Sequence, residues 1–234
     1  MTSTVSRILT YKRSINLTYR YFSMTDSDLS YICVKKNLSP IQLFEKWLEE
    51  SKTYGKGSQV FNLATADKEG NVSNRNIILR DIKDNCLIFT ANRLGNKTTH
   101  IELNPNVAAC FLWMYSKDES FISRQVRLEG RAEEIPKSDL NQYFDTEPLY
   151  CQLRYHICDQ SQPVHWKELK AKHDKLYSQT LEQPALPVAE NYIGYKIIPN
   201  KWDFYHADGN TIADRITFTL DKGTESWIKQ RVAA

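Results

Sequence analysis

Residues 61–81 read FNLATADKEGNVSNRNIILRD and predict two β-strands joined by a turn. Residues 61–65 alternate between apolar or threonine side chains and small or polar ones, and residues 67–71 hold the Gly and Asn that turns favour. In the second strand, Arg75 and Arg80 flank a short, mostly apolar run. Because a guanidinium group offers a planar fork of donors to phosphate or carboxylate, this strand is a candidate anion site. An ordinary barrel strand with solvated arginines would show the same pattern.

Strand patterns recur along the rest of the chain and outnumber helical ones. Apolar runs predict further strands at residues 86–89, 107–113, 121–131, 192–198, 201–205, 212–220 and 227–232. Helices are predicted at residues 137–144 and 165–177, in a short segment that ends at Leu103, and from Pro40 onward, while residues 150–163 resemble a polar loop. Such a succession predicts an α+β protein, an antiparallel barrel with peripheral helices.

The helix at Pro40 has the clearest start signal. Ser39 can cap it, Pro40 suits the first helical position, and Gln42 completes a capping box. Phe44 and Trp47 are among the apolar residues that recur at helical spacing, so one face should be buried. We place the start of the folded domain at residue 39 and its end at residue 234.

Residues 1–38 are predicted to form an N-terminal arm. Before Asp26 this segment contains basic residues, Ser and Thr but no acidic residue, which is also the composition of an organelle transit peptide. The aromatic residues Tyr19, Tyr21 and Phe22 favour an arm that docks on a surface.

Overall composition excludes several classes of protein. The 31 basic and 28 acidic side chains give a net charge of only +3, so no nucleic-acid surface is indicated. No apolar run approaches the ~20 residues of a membrane span. The five cysteines form no Cys-x-x-Cys pair, and the spacing of Cys151, His156 and Cys158 matches no recurrent zinc site, so we expect no metal. A reducing, cytoplasmic location is the natural expectation.

Several segments together resemble the pyridoxine (pyridoxamine) 5'-phosphate oxidases, which are homodimeric FMN proteins with a split-barrel fold. Residues 75–80 resemble the family strand Arg-x-Val-Leu-Leu-Lys, and residues 89–97 resemble its phosphate loop Phe-Tyr-Thr-Asn-x-x-Ser-Arg-Lys. Residues 124–130 closely match Arg-Gln-Val-Arg-Val-Glu-Gly. The resemblance implies a flavin site at the subunit interface, formed by Arg75, Asn76, Ile77, Ile78, Leu79, Arg80, Thr90, Ala91, Asn96, Lys97, Gln125, Gln160, Ser161, Tyr205 and Arg215.

The phosphate loop departs from the family pattern. Thr90, Ala91, Gly95 and Asn96 stand where the family has Tyr, Thr, Ser and Arg, whereas Asn92 and Lys97 are kept. The flavin phosphate would therefore lose one cation and two hydroxyl groups.

The substrate side departs further. The family residues that hold the vitamin phosphate and cover its ring correspond here to Arg80, Tyr143, Glu147, Cys151, Thr211 and Ala213. Glu147 replaces a cation with an anion, and a like-charge contact at about 4 Å in a partly screened site costs on the order of several kcal/mol. We therefore expect the flavin site to be kept and the vitamin site to be lost.

Three functions are compatible with this pattern. The first is an FMN-dependent oxidoreductase that transfers a hydride between a small substrate and flavin N5, with O2 as the acceptor. By analogy with family members in phenazine biosynthesis, that substrate would be a tricyclic or amine compound of specialised metabolism. The second is an authentic B6 phosphate oxidase whose missing contacts are replaced, for example by Arg154 or the arm. The third is a non-catalytic flavin-binding protein.

Overall fold

The strands form one antiparallel sheet that closes on itself. The computed structural model describes residues 29–35, 37–183 and 185–234. In these ranges the strands are β1 (Val60–Ala66), β2 (Val72–Lys83), β3 (Cys86–Asn92), β4 (Asn106–Lys117), β5 (Ser120–Glu134), β6 (Tyr192–Asp208), β7 (Asp214–Asp221) and β8 (Ser226–Val232). Their order is β3-β2-β1-β4-β5-β6-β7-β8, and a further pairing of β3 with β6 closes six of them into a barrel. The predicted fold class is confirmed.

The long strand β6 belongs to two parts of the sheet. Its first half pairs with β3, its second half pairs with β7, and β5 runs beside nearly its whole length. Prediction of two separate strands at residues 192–198 and 201–205 was wrong. A register shift next to Gly130 absorbs the irregularity near Pro199 without ending the strand. A Cβ atom at Gly130 would lie 2.3 Å from the carbonyl oxygen of Ile198, so glycine is required there.

The helices lie around the barrel. They are α1 (Pro40–Tyr54), α2 (Asn96–Leu103), α3 (Leu140–Phe144), α4 (Leu149–Ile157) and α5 (Trp166–Glu182), with a 3-10 turn (Lys137–Asp139) before α3. The capping box of α1 is confirmed, because Ser39 Oγ accepts from the Gln42 amide at 3.4 Å and Gln42 Oε1 accepts from the Ser39 amide at 3.0 Å. None of these helices is long and apolar enough to cross a membrane.

Aromatic side chains fill the barrel and join it to α1. Phe44 of α1 packs against Phe111 and Trp202, with ring centroids 4.8 and 5.4 Å apart. Phe61 stacks on Phe111 at 4.9 Å. Such pairs add to the free energy gained by burial, so Phe44 helps to hold α1 against the barrel.

The prediction of a polar loop at residues 150–163 was wrong, because α4 occupies most of this segment. Leu149 and Leu153 are spaced four residues apart, and Cys151, Leu153 and Tyr155 are buried. Pro148 precedes the helix and suits its start. This helix places Arg154 and Tyr155 beside residues of β2 and β3.

The segment before α1 lies against the connection between β6 and β7 and the start of β7. The Ser30 amide donates to the carbonyl of Ile212 at 2.8 Å, and the Ile32 amide donates to Asp214 Oδ2 at 2.7 Å. Ile32 is buried in the main core. Residues 1–28, which hold most of the predicted arm and its aromatic residues, lie outside the described part of the chain, so the arm stays a prediction.

Candidate functional site

A cavity of about 400 Å³ opens where β2, β3, α2 and α4 meet. Its volume is within the range of small-molecule and cofactor sites. The residues that line it are Arg75, Asn76, Ile77, Ile78, Arg80, Thr90, Ala91, Asn92, Lys97, Arg154, Tyr155, Cys158 and Gln160. Nine of the predicted flavin residues are therefore brought together in the lining of one cavity.

The lining of this cavity is strongly basic. Arg75, Arg80, Lys97 and Arg154 contribute four cations, and none of the described residues that line the cavity carries a carboxylate. Four positive charges around one cavity favour the binding of an anionic ligand. The chain as a whole is nearly neutral, so the effect comes from local placement.

Arg75 is held in place by neutral acceptors. One of its terminal nitrogens donates to the Leu63 carbonyl at 3.1 Å and to Thr65 Oγ1 at 2.8 Å, and the other donates to Ser73 Oγ at 2.9 Å. Burial lowers the pKa of Arg75, but an arginine remains charged at physiological pH. Its position is therefore fixed while its positive charge is available to a ligand.

Lys97 lies in the first turn of α2 and is only 8% exposed. Among the described residues its ammonium group has neither an ion pair nor a hydrogen-bond acceptor. Burial, followed by the charges of Arg75 and Arg154, lowers the pKa of Lys97 to about 8. No side chain caps α2 at Gly95, so amide groups of its first turn can also face an anion.

Arg80 differs from the other cations because its charge is compensated. Its Nη2 donates to Glu147 Oε2 at 2.6 Å, and the Glu147 side chain is 0% exposed. The other oxygen of Glu147 accepts from Thr90 Oγ1 at 3.1 Å and from the Tyr192 hydroxyl at 3.2 Å. Burial and the charge of Glu147 raise the pKa of Tyr192, so its hydroxyl remains a donor. The four groups form a closed network that reaches the cavity through Arg80 and Thr90.

The other predicted substrate residues have partners elsewhere. Tyr143 donates to Asp81 Oδ2 at 3.1 Å, and burial together with that carboxylate raises the pKa of Tyr143 to about 12. Cys151 is buried in α4. Thr211 bonds to Ser30 Oγ and to the Asp208 carbonyl, in the connection before β7 that also contains Ala213. None of Tyr143, Glu147, Cys151, Thr211 and Ala213 lines the described cavity.

Three predicted flavin residues form a separate row across the sheet. Gln125 of β5 lies opposite Tyr205 of β6, which lies opposite Arg215 of β7. Their neighbours Val126 and Phe204 are buried, so the row faces away from the barrel interior. Arg215 donates to Asp203 at 2.9 and 2.6 Å, and although burial alone would raise the pKa of Asp203, hydrogen bonds from Arg215 and Arg127 lower it.

The remaining predicted residues are neighbours in sequence of residues that line the cavity but are not part of its lining. Leu79 is buried in the core, and Asn96 is exposed at the start of α2. Ser161 follows Gln160 and has a φ of 71°, a left-handed conformation that is uncommon for serine and is often found at functional sites.

Tyr155 and Cys158 line the cavity but were missed by sequence reasoning. Arg154 was considered only as a replacement for substrate contacts. The spacing of Leu149, Leu153 and Ile157 was the available signal, since it indicates a helix that would turn neighbouring side chains toward β2 and β3.

Two family models match the chain. Residues 48–175 match the model described as pyridoxamine 5'-phosphate oxidase. Residues 192–234 match the model described as the pyridoxine 5'-phosphate oxidase C-terminal dimerisation region.

Curated and structural relatives agree with these matches. A pyridoxine/pyridoxamine 5'-phosphate oxidase of Leptospira biflexa is 32% identical over 196 residues, which cover 83% of this chain and 88% of the relative. The solved structure of PhzG from Burkholderia lata 383, in complex with tetrahydrophenazine-1-carboxylic acid, has a TM-score of 0.73 at 19% identity and covers 83% of this chain and 92% of that chain. A pyridoxamine 5'-phosphate oxidase-related, FMN-binding protein from Nostoc punctiforme has a TM-score of 0.63 at 15% identity. The match covers 85% of this chain and 99% of that chain. The two structures share the fold of this chain.

Proposed function

This chain belongs to the pyridoxamine 5'-phosphate oxidase family and is an FMN-dependent oxidoreductase, and we propose that its substrate is a small molecule other than the B6 phosphates. The observation that carries the proposal is the ion pair between Arg80 and Glu147. The cavity keeps its cations for a flavin phosphate but neutralises the cation that the resemblance assigns to a substrate phosphate.

The donor set of the cavity fits FMN. Arg75 and Lys97 offer uncompensated positive charge, and Gln160 and the amide groups at the start of α2 add neutral donors. A phosphate monoester has several acceptor oxygens and close to two negative charges, which matches such a set. FMN supplies the redox chemistry of an enzyme of this kind, and the protein supplies binding, orientation and electrostatics.

A substrate phosphate would meet an unfavourable environment at Arg80. Nη2 of this side chain is already used by Glu147, and the carboxylate brings a negative charge into contact with the guanidinium. A dianion that approached Arg80 would have to compete with that carboxylate and would be repelled by it. The wall formed by Arg80, Thr90 and Tyr155 is therefore suited to an uncharged, hydrogen-bonding part of a substrate.

We further propose that the cofactor lies between two copies of the chain. Gln125, Tyr205 and Arg215 face away from the barrel and do not line the described cavity. Leu112 and Met114, on the same outward face of β4, are 56% and 57% exposed, and clustered exposed apolar residues indicate an interface. A homodimer would bury Leu112 and Met114. It would also bring the outward row of one subunit to the cavity of its partner.

The second candidate function is that of an authentic B6 phosphate oxidase. The name of the Leptospira biflexa relative favours it, and Arg80 still lines the cavity despite its ion pair. In this alternative the substrate phosphate would displace Glu147 from Arg80 or bind to another cation.

Peroxide release by the purified protein distinguishes the two candidates. The FMN content per chain is measured first, and pyridoxine 5'-phosphate, pyridoxamine 5'-phosphate and their unphosphorylated forms are then compared in air. We expect bound FMN and no preference for the phosphorylated forms. A preference of about a hundredfold in kcat/KM for the phosphates, worth about 2.7 kcal/mol, would establish the second candidate instead.

Photoreduction tests whether the flavin is catalytic. Rapid reoxidation in air would support O2 as the acceptor and argue against a flavin-binding protein without activity. Mass spectrometry of the native protein then identifies copurified substrates.

The cytoplasmic location stays a prediction.

A further inference from the structure

The geometry points to Arg154 as the third cation, with Arg75 and Lys97, that holds the phosphate of FMN. This inference rests on the cofactor assigned above and adds a ligand that comes from a different element of the fold. Arg75 lies on β2 and Lys97 on α2, whereas Arg154 reaches the cavity from α4.

The helix α4 fixes where Arg154 points. Cys151, Leu153 and Tyr155 are buried, while Arg154 is exposed and lines the cavity together with Tyr155 and Cys158. Its guanidinium carbon lies 5.3 Å from the centroid of the Tyr155 ring, a cation–π contact that restricts the side chain. The side chain of Arg154 is therefore partly ordered before a ligand binds to it.

The charge of Arg154 is not compensated by the protein. Within residues 29–35, 37–183 and 185–234, no carboxylate lies within ion-pair distance of its guanidinium group. Glu147 is close to this region, but its oxygens are used by Arg80, Thr90 and Tyr192. Arg154 thus has donors available for an anion.

Arg154 lies close enough to Lys97 to affect its titration. Its positive charge and that of Arg75 both disfavour the charged ammonium of Lys97, after the larger effect of burial. Three mutually repelling cations around one cavity are stabilised when an anion binds between them. A phosphate monoester, with close to two negative charges, is of suitable charge.

The neighbouring loop explains why a cation is needed from α4. Asn96 stands where the resemblance expects an arginine, and it is uncharged and exposed. The loop therefore supplies Lys97 alone, and Arg154 restores a third positive charge from α4. A carboxylate on the substrate is the competing ligand for Arg154, and binding measurements separate the two.

The test compares FMN with riboflavin, which lacks the phosphate, as ligands of the protein freed of its flavin. Dissociation constants are measured by fluorescence quenching for the wild type, Arg154→Ala, Arg154→Lys and the control Arg131→Ala. Arg131 is exposed on β5, outside the cavity, and its removal changes the net charge equally. Circular dichroism verifies that every variant is folded.

Arg154→Ala should weaken FMN binding about tenfold to a hundredfold, as expected for one charge-assisted hydrogen bond, and leave riboflavin binding unchanged within about twofold. Arg154→Lys should recover part of the loss, and Arg131→Ala should behave as the wild type. The inference is overturned if Arg154→Ala leaves FMN binding unchanged or weakens both flavins equally. If the wild type bound neither flavin, the cofactor assignment itself would fail, which is a distinct result.

Discussion

The carboxylate of Glu147 lies 2.6 Å from Nη2 of Arg80, although 67 positions separate the two residues in the chain. The side chain of Glu147 is fully buried and that of Arg80 is 21% exposed, so the pair neutralises a cation of the cavity from behind. The sequence predicts that Glu147 faces a bound phosphate and repels it. The structure places Glu147 behind Arg80, so it acts on a ligand chiefly by neutralising the guanidinium group.

Glu147→Gln should strengthen the binding of pyridoxine 5'-phosphate. The amide keeps a hydrogen-bond acceptor for Arg80 but removes the negative charge, so Arg80 can attract a phosphate. We expect the dissociation constant to fall about tenfold for pyridoxine 5'-phosphate and to remain unchanged for pyridoxine, measured by perturbation of the flavin spectrum. Loss of the buried charge pair should also lower the free energy of unfolding by about 1–3 kcal/mol in urea titrations.

The matched control for this prediction is Glu45→Gln. Glu45 is exposed on α1, and in the described part of the chain it forms no ion pair, so its removal changes only the net charge. An equal gain for both variants would show a general charge effect. If Glu147→Gln gave no gain for the phosphate, Arg80 would not belong to the substrate site.

The double variant Arg75→Ala, Lys97→Ala should lose its flavin during purification. Both residues carry uncompensated charge at the cavity, and each charge-assisted contact contributes about 1.5–3 kcal/mol. The losses need not be additive, because the two cations share one ligand. Flavin absorbance relative to protein absorbance measures the loss, with Arg131→Ala as the control, and full retention of FMN would mean that the phosphate binds elsewhere.

FMN affinity should decrease as the pH rises above about 8. In the free protein the pKa of Lys97 is lowered to about 8, so the ammonium loses its proton above this pH. A bound phosphate favours the charged form and raises this pKa in the complex. Affinity is therefore fully present below about pH 8 and falls by up to about tenfold per pH unit as pH rises from the pKa of the free protein to that of the complex.

Titrations of FMN at about pH 7 to about pH 10 test this dependence. Lys97→Met keeps the length of the side chain but cannot titrate, so it should bind more weakly and show a flat profile in this range. A wild-type profile that was also flat, or a Lys97→Met profile that kept the slope, would exclude Lys97 as the titrating group.

The local sequence was sufficient to predict the first hairpin and the start of α1. Leu63 lies opposite Arg75 in the observed register, and Ser39 and Gln42 form both bonds of the capping box. Both features are determined by residues close together in the chain, namely those that form the turn and those that cap the helix. The helix α4 was missed because charged and polar residues between Leu149 and Ile157 obscured its apolar spacing.

Long-range relationships in the site could not be predicted in the same way. Strand alternation places Gln125 and Arg127 on one face, but the pairing of β3 with β6 decides which face is inside the barrel. The partner of Arg80 depends on how the turn between α3 and α4 packs, which no local pattern encodes. Contacts of this kind require the closed barrel.

A mixed dimer should bind FMN even when each of its two chains is defective alone. We expect Arg75→Ala, Lys97→Ala in one chain to remove the cavity cations, and Gln125→Ala, Tyr205→Ala in the other to remove the outward row. If each site combines the cavity of one subunit with the row of its partner, one of the two sites in the mixed dimer is intact and the other lacks both sets. Differently tagged chains, purified in tandem after coexpression, should therefore hold about half the FMN of the wild type, whereas each homodimer holds little. If both sets came from the same chain, every site in the mixed dimer would be defective, and a mixed dimer without FMN would refute the shared site.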